Sequence, residues 1–191
     1  LDGSGNASIT TSDVDGGSTD NCSVTNLSAS PTSFTCTDLG ANSVTLTVTD
    51  ASMNSMTCTA TVTVRDTVSP VAMCQDITVY LDGSGNASIT TSDVDGGSTD
   101  NCAVSNLSAS QTSFTCADIG SNSVTLTVTD ASMNSASCLA TVTVRDTVSP
   151  VAMCQNITVY LDGSGNASIT ASDVDGGSSD NCGIGGQSSS P

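Results

Sequence analysis

The chain has 191 residues, with 19 acidic against 2 basic side chains and a formal charge of −17 at pH 7. Every acid is Asp, the bases are Arg65 and Arg145, and His, Lys and Trp are absent. A surface of this sign repels polyanions and excludes nucleic acid as a partner, while the lack of His and Lys removes the usual general base and amine nucleophile, so no catalytic residue is assigned and the chain is read as non-enzymatic.

The decamer Leu-Asp-Gly-Ser-Gly-Asn-Ala-Ser-Ile-Thr starts at Leu1, Leu81 and Leu161, which sets an internal period of 80 residues. Near-identical tandem copies suit proteins whose useful property is length, spacing or multivalency. Within the central copy, period-two alternation of β-branched residues predicts strands at roughly 72 to 81, 86 to 90, 103 to 108, 112 to 116, 123 to 129 and 136 to 145. Clusters of Gly, Ser, Asn and Asp break these runs, and no window carries helical spacing. The expected fold class is all-β, as tandem immunoglobulin-like β-sandwich modules. Proline in Asp66-Thr-Val-Ser-Pro70 and Asp146-Thr-Val-Ser-Pro150 marks the module boundaries. Residues 1–66 are then a repeat lacking its first strand, 67–146 a complete repeat, and 147–191 the N-terminal part of a third.

Nine cysteines fall in matching slots, four to a full repeat, and the odd total follows from a sequence that starts and stops inside a repeat. Without His or C-x-x-C spacing they read as a disulfide framework in an oxidising, extracellular setting. Four cysteines allow three connectivities. The parallel first and last strands of the expected sandwich favour Cys74 with Cys138, leaving Cys102 with Cys116 and, in the first copy, Cys22 with Cys36. A rival phase joins Cys58 to Cys74 across the boundary. No stretch approaches the roughly 20 apolar residues of a membrane span.

The most acidic loop, Ser92-Asp-Val-Asp-Gly-Gly-Ser-Thr-Asp-Asn101, recurs at 12–21 and 172–181. Short carboxylates with an amide oxygen and no nitrogen or sulfur donor suit calcium. The candidate ligands are Asp13, Asp15, Asp20 and Asn21; Asp93, Asp95, Asp100 and Asn101; Asp173, Asp175, Asp180 and Asn181; and the linker residues Asp66 and Asp146. In a sandwich this loop faces the preceding module, so bound calcium is expected to stiffen the joints.

Pro70-x-x-x-Cys74-x-Asp-Ile-Thr-Val79, Asp100-Asn-Cys102, Phe114 followed by Gly120, Val124-Thr-Leu-Thr-Val-Thr-Asp130, Asn134 and Cys138 together resemble the hyalin repeat. In its near-identical tandem form the chain is similar to giant repeat adhesins of gliding bacteria that use type IX secretion. It departs from the hyalin pattern in carrying Met133 where glycine is usual and in the extra Cys116. The resemblance implies an extracellular, cell-surface filament serving adhesion or gliding. Its partners are then neighbouring repeats, other copies in a filament, and surface glycans or a substratum met through regions outside this sequence. It also implies O-glycans at Asp-Thr-apolar tripeptides, which places Thr67 and Thr147 as candidates. Two other readings are repeats that themselves bind glycans or proteins, and a self-assembling matrix or pilus-like polymer.

Overall fold

The computed structural model describes residues 1–186 and is an all-β structure. Strands β1 (Asn6–Ser8), β2 (Val24–Ser30), β3 (Ser33–Thr35), β4 (Gly40–Asp50) and β5 (Ser55–Val64) come first. They are followed by β6 (Ile77–Tyr80), β7 (Asn86–Ser88), β8 (Val104–Ala109), β9 (Ser113–Thr115), β10 (Gly120–Asp130) and β11 (Ser135–Arg145). Two small sheets pair β1 with β3 and β7 with β9; the larger ones run β2-β4-β5 and β6-β11-β10-β8. The expected parallel meeting of first and last strands is present, with Ile77 opposite Val142 and Tyr80 opposite Arg145 between β6 and β11.

Alternation translates directly into burial. Along β10 every second residue from Val124 to Asp130 is buried while the intervening threonines are half-exposed, as a pleated strand with one face on the core requires. Phe34, Val44 and Val64 form a buried cluster against which Leu1, Ile9, Val14, Ala29 and Val62 pack. Phe114, Leu126, Val142 and Val144 are buried in the later strands.

The sequence reading missed two local features. Single helical turns occur at α1 (Thr11–Val14), α2 (Thr91–Val94) and α3 (Ala171–Val174), and 3-10 turns at Cys36–Asp38 and Cys116–Asp118. They escape a periodicity test because one turn carries no repeat; a capping signal, Thr-x-x-Asp, produces them. In α2 the Asp93 carboxylate accepts from the Thr90 N–H at 2.6 Å and from its hydroxyl at 2.8 Å. The strand predicted over 72 to 81 is also shorter. Asp76 Oδ1 takes the Thr141 N–H at 2.6 Å just before β6, and upstream only the isolated bridges Val71–Thr99 and Cys74–Asp95 form.

Turns rest on aspartate. Asp82 Oδ1 accepts the N–H groups of Ser84 (2.8 Å) and Asn86 (3.0 Å), and Asp2 does the same for Ser4 and Asn6. In the hairpin after β10, Met133 holds φ at 69°, a left-handed conformation that favours glycine.

Those turn contacts have a pH signature. The backbone N–H groups of Asn86 and Ser84 lower the Asp82 pKa below its ordinary 3.8, overriding slight desolvation. A group whose folded pKa is depressed contributes stability above the unfolded pKa and loses it as pH falls through the folded one. The melting-temperature gap between the native chain and Asp82→Asn is therefore expected to be full at pH 7 and to close as pH drops below 3.8. A gap that stays constant down to pH 2 contradicts that role.

The chain packs as two compact units, one of residues 1–73, 97–108 and 127–138, the other of 74–96, 109–126 and 139 onward. Each unit draws on more than one sequence copy.

Candidate metal centre

In the first unit the tripeptide Asp100-Asn-Cys102 is held against the decamer turn of the preceding copy. The Cys102 sulfur is bonded to Cys36, 66 residues earlier, with a Cα–Cα distance of 5.4 Å. Asn101 Nδ2 donates to the Asp2 carbonyl at 3.0 Å and to Asp66 Oδ1 at 3.1 Å. Gly5 makes this approach possible. A Cβ placed there lies 2.6 Å from Cys36 Sγ and 2.8 Å from the Asn101 carbonyl oxygen, and the residue holds φ at +74°. The decamer turn is therefore a docking surface for the next repeat's acidic loop.

The second unit repeats the arrangement one period later. Cys116 is bonded to Cys182, again 66 residues apart. Asn181 Nδ2 donates to the Asp82 carbonyl and Asp146 Oδ1 at 3.0 and 3.1 Å, and Gly85 stands where Gly5 stood.

This overturns the pairings of Cys102 with Cys116 and of Cys22 with Cys36. The β8 strand explains why. Cys102, just before it, packs in the first unit with Cys36, whereas Cys116, beyond it, belongs to the second unit with Cys182, and Cys22 is left exposed. Cys74 and Cys138 are the two remaining half-cystines. Cys22, Cys58 and Cys154 are free and exposed, so Cys58 does not bridge to Cys74. Each free cysteine lies one period from a half-cystine: Cys22 from Cys102, Cys58 from Cys138 and Cys154 from Cys74.

Beside the Asn101 contact, one carboxylate oxygen from each of Asp66, Asp100 and Asp130 lies within 4.8 Å of the others. Asp66 is 6% and Asp130 1% exposed. Each acid is anchored by hydrogen bonds. Asp66 Oδ1 accepts from the Val68 N–H and from Asn101 Nδ2, both at 3.1 Å. Asp100 Oδ2 accepts the N–H groups of Cys102 and Ala103. Asp130 accepts the Asn134 N–H at 2.8 Å and its Nδ2 at 2.7 Å, and that Nδ2 also reaches the Asp66 carbonyl. What remains is a set of buried oxygens with no hydrogen-bond partner: Asp66 Oδ2, Asp100 Oδ1 and Asn101 Oδ1.

Three carboxylates this close repel one another by roughly 3 kcal/mol per pair at a protein's effective dielectric, and a buried acceptor without a donor adds about 1 to 3 kcal/mol. An all-oxygen donor set of this kind is chemically suited to a hard cation.

Of the residues singled out from the sequence, the structure brings Asp66, Asp100 and Asn101 together. It places most of the others elsewhere. Asp13, Asp93 and Asp173 cap α1, α2 and α3. Asp15 accepts from Ser18 and Asp175 from the Ser178 N–H, and Asp95 bridges to Cys74. Asp20 and Asn21, the first-copy counterparts of Asp100 and Asn101, are exposed. Asp146, Asp180 and Asn181 rebuild part of the set, with Asp180 Oδ1 and Asn181 Oδ1 again buried and unpartnered; the position one period after Asp130 lies beyond residue 191.

Asp130 was missed, although its signal was readable. It continues the inward phase Val124, Leu126, Val128, and an acid on the buried face of a strand calls for a partner. Thr67 and Thr147 are exposed. Among the described residues no helix is long and apolar enough to cross a membrane. A scan against protein-family models finds no match to this chain, and a search of curated proteins finds no significant match.

Proposed function

We propose that this chain is a segment of a secreted, cell-surface filament, built from tandem immunoglobulin-like modules of 80 residues, whose work is mechanical. It spaces or presents adhesive regions and performs no catalysis; the hyalin-like pattern, the adhesive or gliding role and O-glycans at Thr67 and Thr147 belong to the same proposal. The observation that carries it is the bond between copies. Disulfides persist in oxidising compartments, and these two recur one period apart, Cys36 with Cys102 and Cys116 with Cys182.

That recurrence has a mechanical consequence. Each bond joins cysteines 66 positions apart and shunts tension past the residues between them. Tension is then borne by residues up to 36, by 102–116 and by those after 182, about a third of the chain. A whole 80-residue repeat contributes only the short path from Cys102 to Cys116. A linkage of this kind limits extension covalently, whatever the modest stability of cores with almost no aromatic residues.

Single-molecule pulling tests it. At roughly 3.5 Å per extended residue, the oxidised chain is expected to reach about a third of the length it reaches with reductant present. Equal lengths with and without reductant contradict a load-bearing linkage.

A further inference from the structure

We propose that Asp66, Asp100, Asn101 and Asp130 form a calcium site that locks the linker to two loops of the following repeat. Acidic loops alone are ordinary in a chain with 19 aspartates. What distinguishes this cluster is burial combined with unused oxygens. Asp66 is 6% exposed, yet its Oδ2 has no donor, and Asp100 Oδ1 and Asn101 Oδ1 are buried and unpartnered beside it.

The hydrogen bonds sort the oxygens into two classes. One oxygen of Asp66 and one of Asp100 orient the side chain by accepting N–H groups, and the other is left free. Asn101 spends its amide nitrogen on Asp2 and Asp66, which fixes the amide with its oxygen unused. Asp130 is held by Asn134 and contributes the third carboxylate. Such positioning is what metal ligands need from their surroundings.

The donor chemistry selects the ion. Three carboxylates and an amide oxygen, with His absent and Cys102 consumed in a disulfide, disfavour zinc and copper. Calcium takes six to eight oxygens in irregular geometry and completes its shell with water, whereas magnesium demands a near-ideal octahedron. The three carboxylates lie on separate stretches of chain: Asp66 in the linker, Asp100 in the acidic loop, and Asp130 at the β10 hairpin. A bound ion therefore cross-links these segments where the Cys36–Cys102 bond already holds the loop.

The test is calcium titration of the oxidised, chelator-stripped chain, read by calorimetry and by melting temperature. Expected is one saturable site per chain, no weaker than the roughly 10⁻⁴ to 10⁻³ M of extracellular calcium modules, with a rise in melting temperature. Asp100→Asn retains an acceptor for the Cys102 N–H and is expected to weaken binding at least tenfold, as is Asp130→Asn. Asp20→Asn, the exposed first-copy counterpart, leaves affinity unchanged. Non-saturable uptake, equal losses from Asp20→Asn and Asp100→Asn, or magnesium binding as tightly as calcium each overturn the assignment. Chelation leaves the disulfide path intact, so this site and the spacer role can fail independently.

Discussion

Gly5→Ala is expected to destabilise the first joint by roughly 3 kcal/mol and to leave Cys36 and Cys102 largely unpaired after oxidative refolding. Two costs combine. The new Cβ meets Cys36 Sγ at 2.6 Å and the Asn101 carbonyl oxygen at 2.8 Å, with backbone on one side and a disulfide on the other, neither free to retreat. Overpacking of this sort costs about 1 to 3 kcal/mol, and holding alanine at a φ of +74° adds about 1 to 2 kcal/mol. Gly85→Ala meets Cys116 Sγ and the Asn181 carbonyl oxygen at 2.6 and 2.9 Å and is expected to do the same at the second joint. Gly3 is the internal control, because nothing lies within 4 Å of a Cβ there. Melting curves and free-thiol titration of the variants decide the matter. If Gly5→Ala and Gly3→Ala behave alike, the decamer turn is not a docking surface for the acidic loop.

The second large effect comes from removing the staple itself. Replacing both Cys36 and Cys102 by serine opens a loop of 66 residues, which by loop-closure entropy costs about 4 kcal/mol. The loss exceeds what a single exposed cysteine contributes; Cys22→Ser, at a free and exposed position, is expected to stay within about 0.5 kcal/mol. Denaturant midpoints measured under oxidising conditions compare the two. Similar midpoints for the double variant and the native chain would show that the bond does not hold the fold.

Much of this architecture is legible in the sequence, and the reason is local. Runs such as Val124-Thr-Leu-Thr-Val-Thr alternate so regularly that both the strand and its inward face follow from the sequence. Asp66 lies beside Asp100 and Asn101, in line with the expectation that this loop faces the preceding module. What the sequence could not give was the partner of Cys102. Copies that are near duplicates offer equivalent cysteines within a repeat and one period away, and what distinguishes them is the packing unit each joins, Cys36 and Cys102 in the first and Cys116 and Cys182 in the second. The caps made by Asp13, Asp93 and Asp173 were hidden for a similar reason, since aspartate in a Gly- and Ser-rich loop reads equally well as a ligand or as a cap. Asp130 shows the opposite case, an acid in plain view on an inward-facing strand position.

The bond between copies is the claim on which the rest depends, and the two arginines provide its test. Trypsin cleaves after Arg65 and Arg145, dividing the chain into 1–65, 66–145 and 146–191. With free thiols blocked and the protein denatured without reductant, Cys36–Cys102 holds the first two fragments together and Cys116–Cys182 the last two. The digest is then expected to run as one species near the intact 18.8 kDa, falling into three fragments only after reduction. Three fragments separating without reductant would mean that the cysteines pair within each copy, and the stapled joint would be wrong.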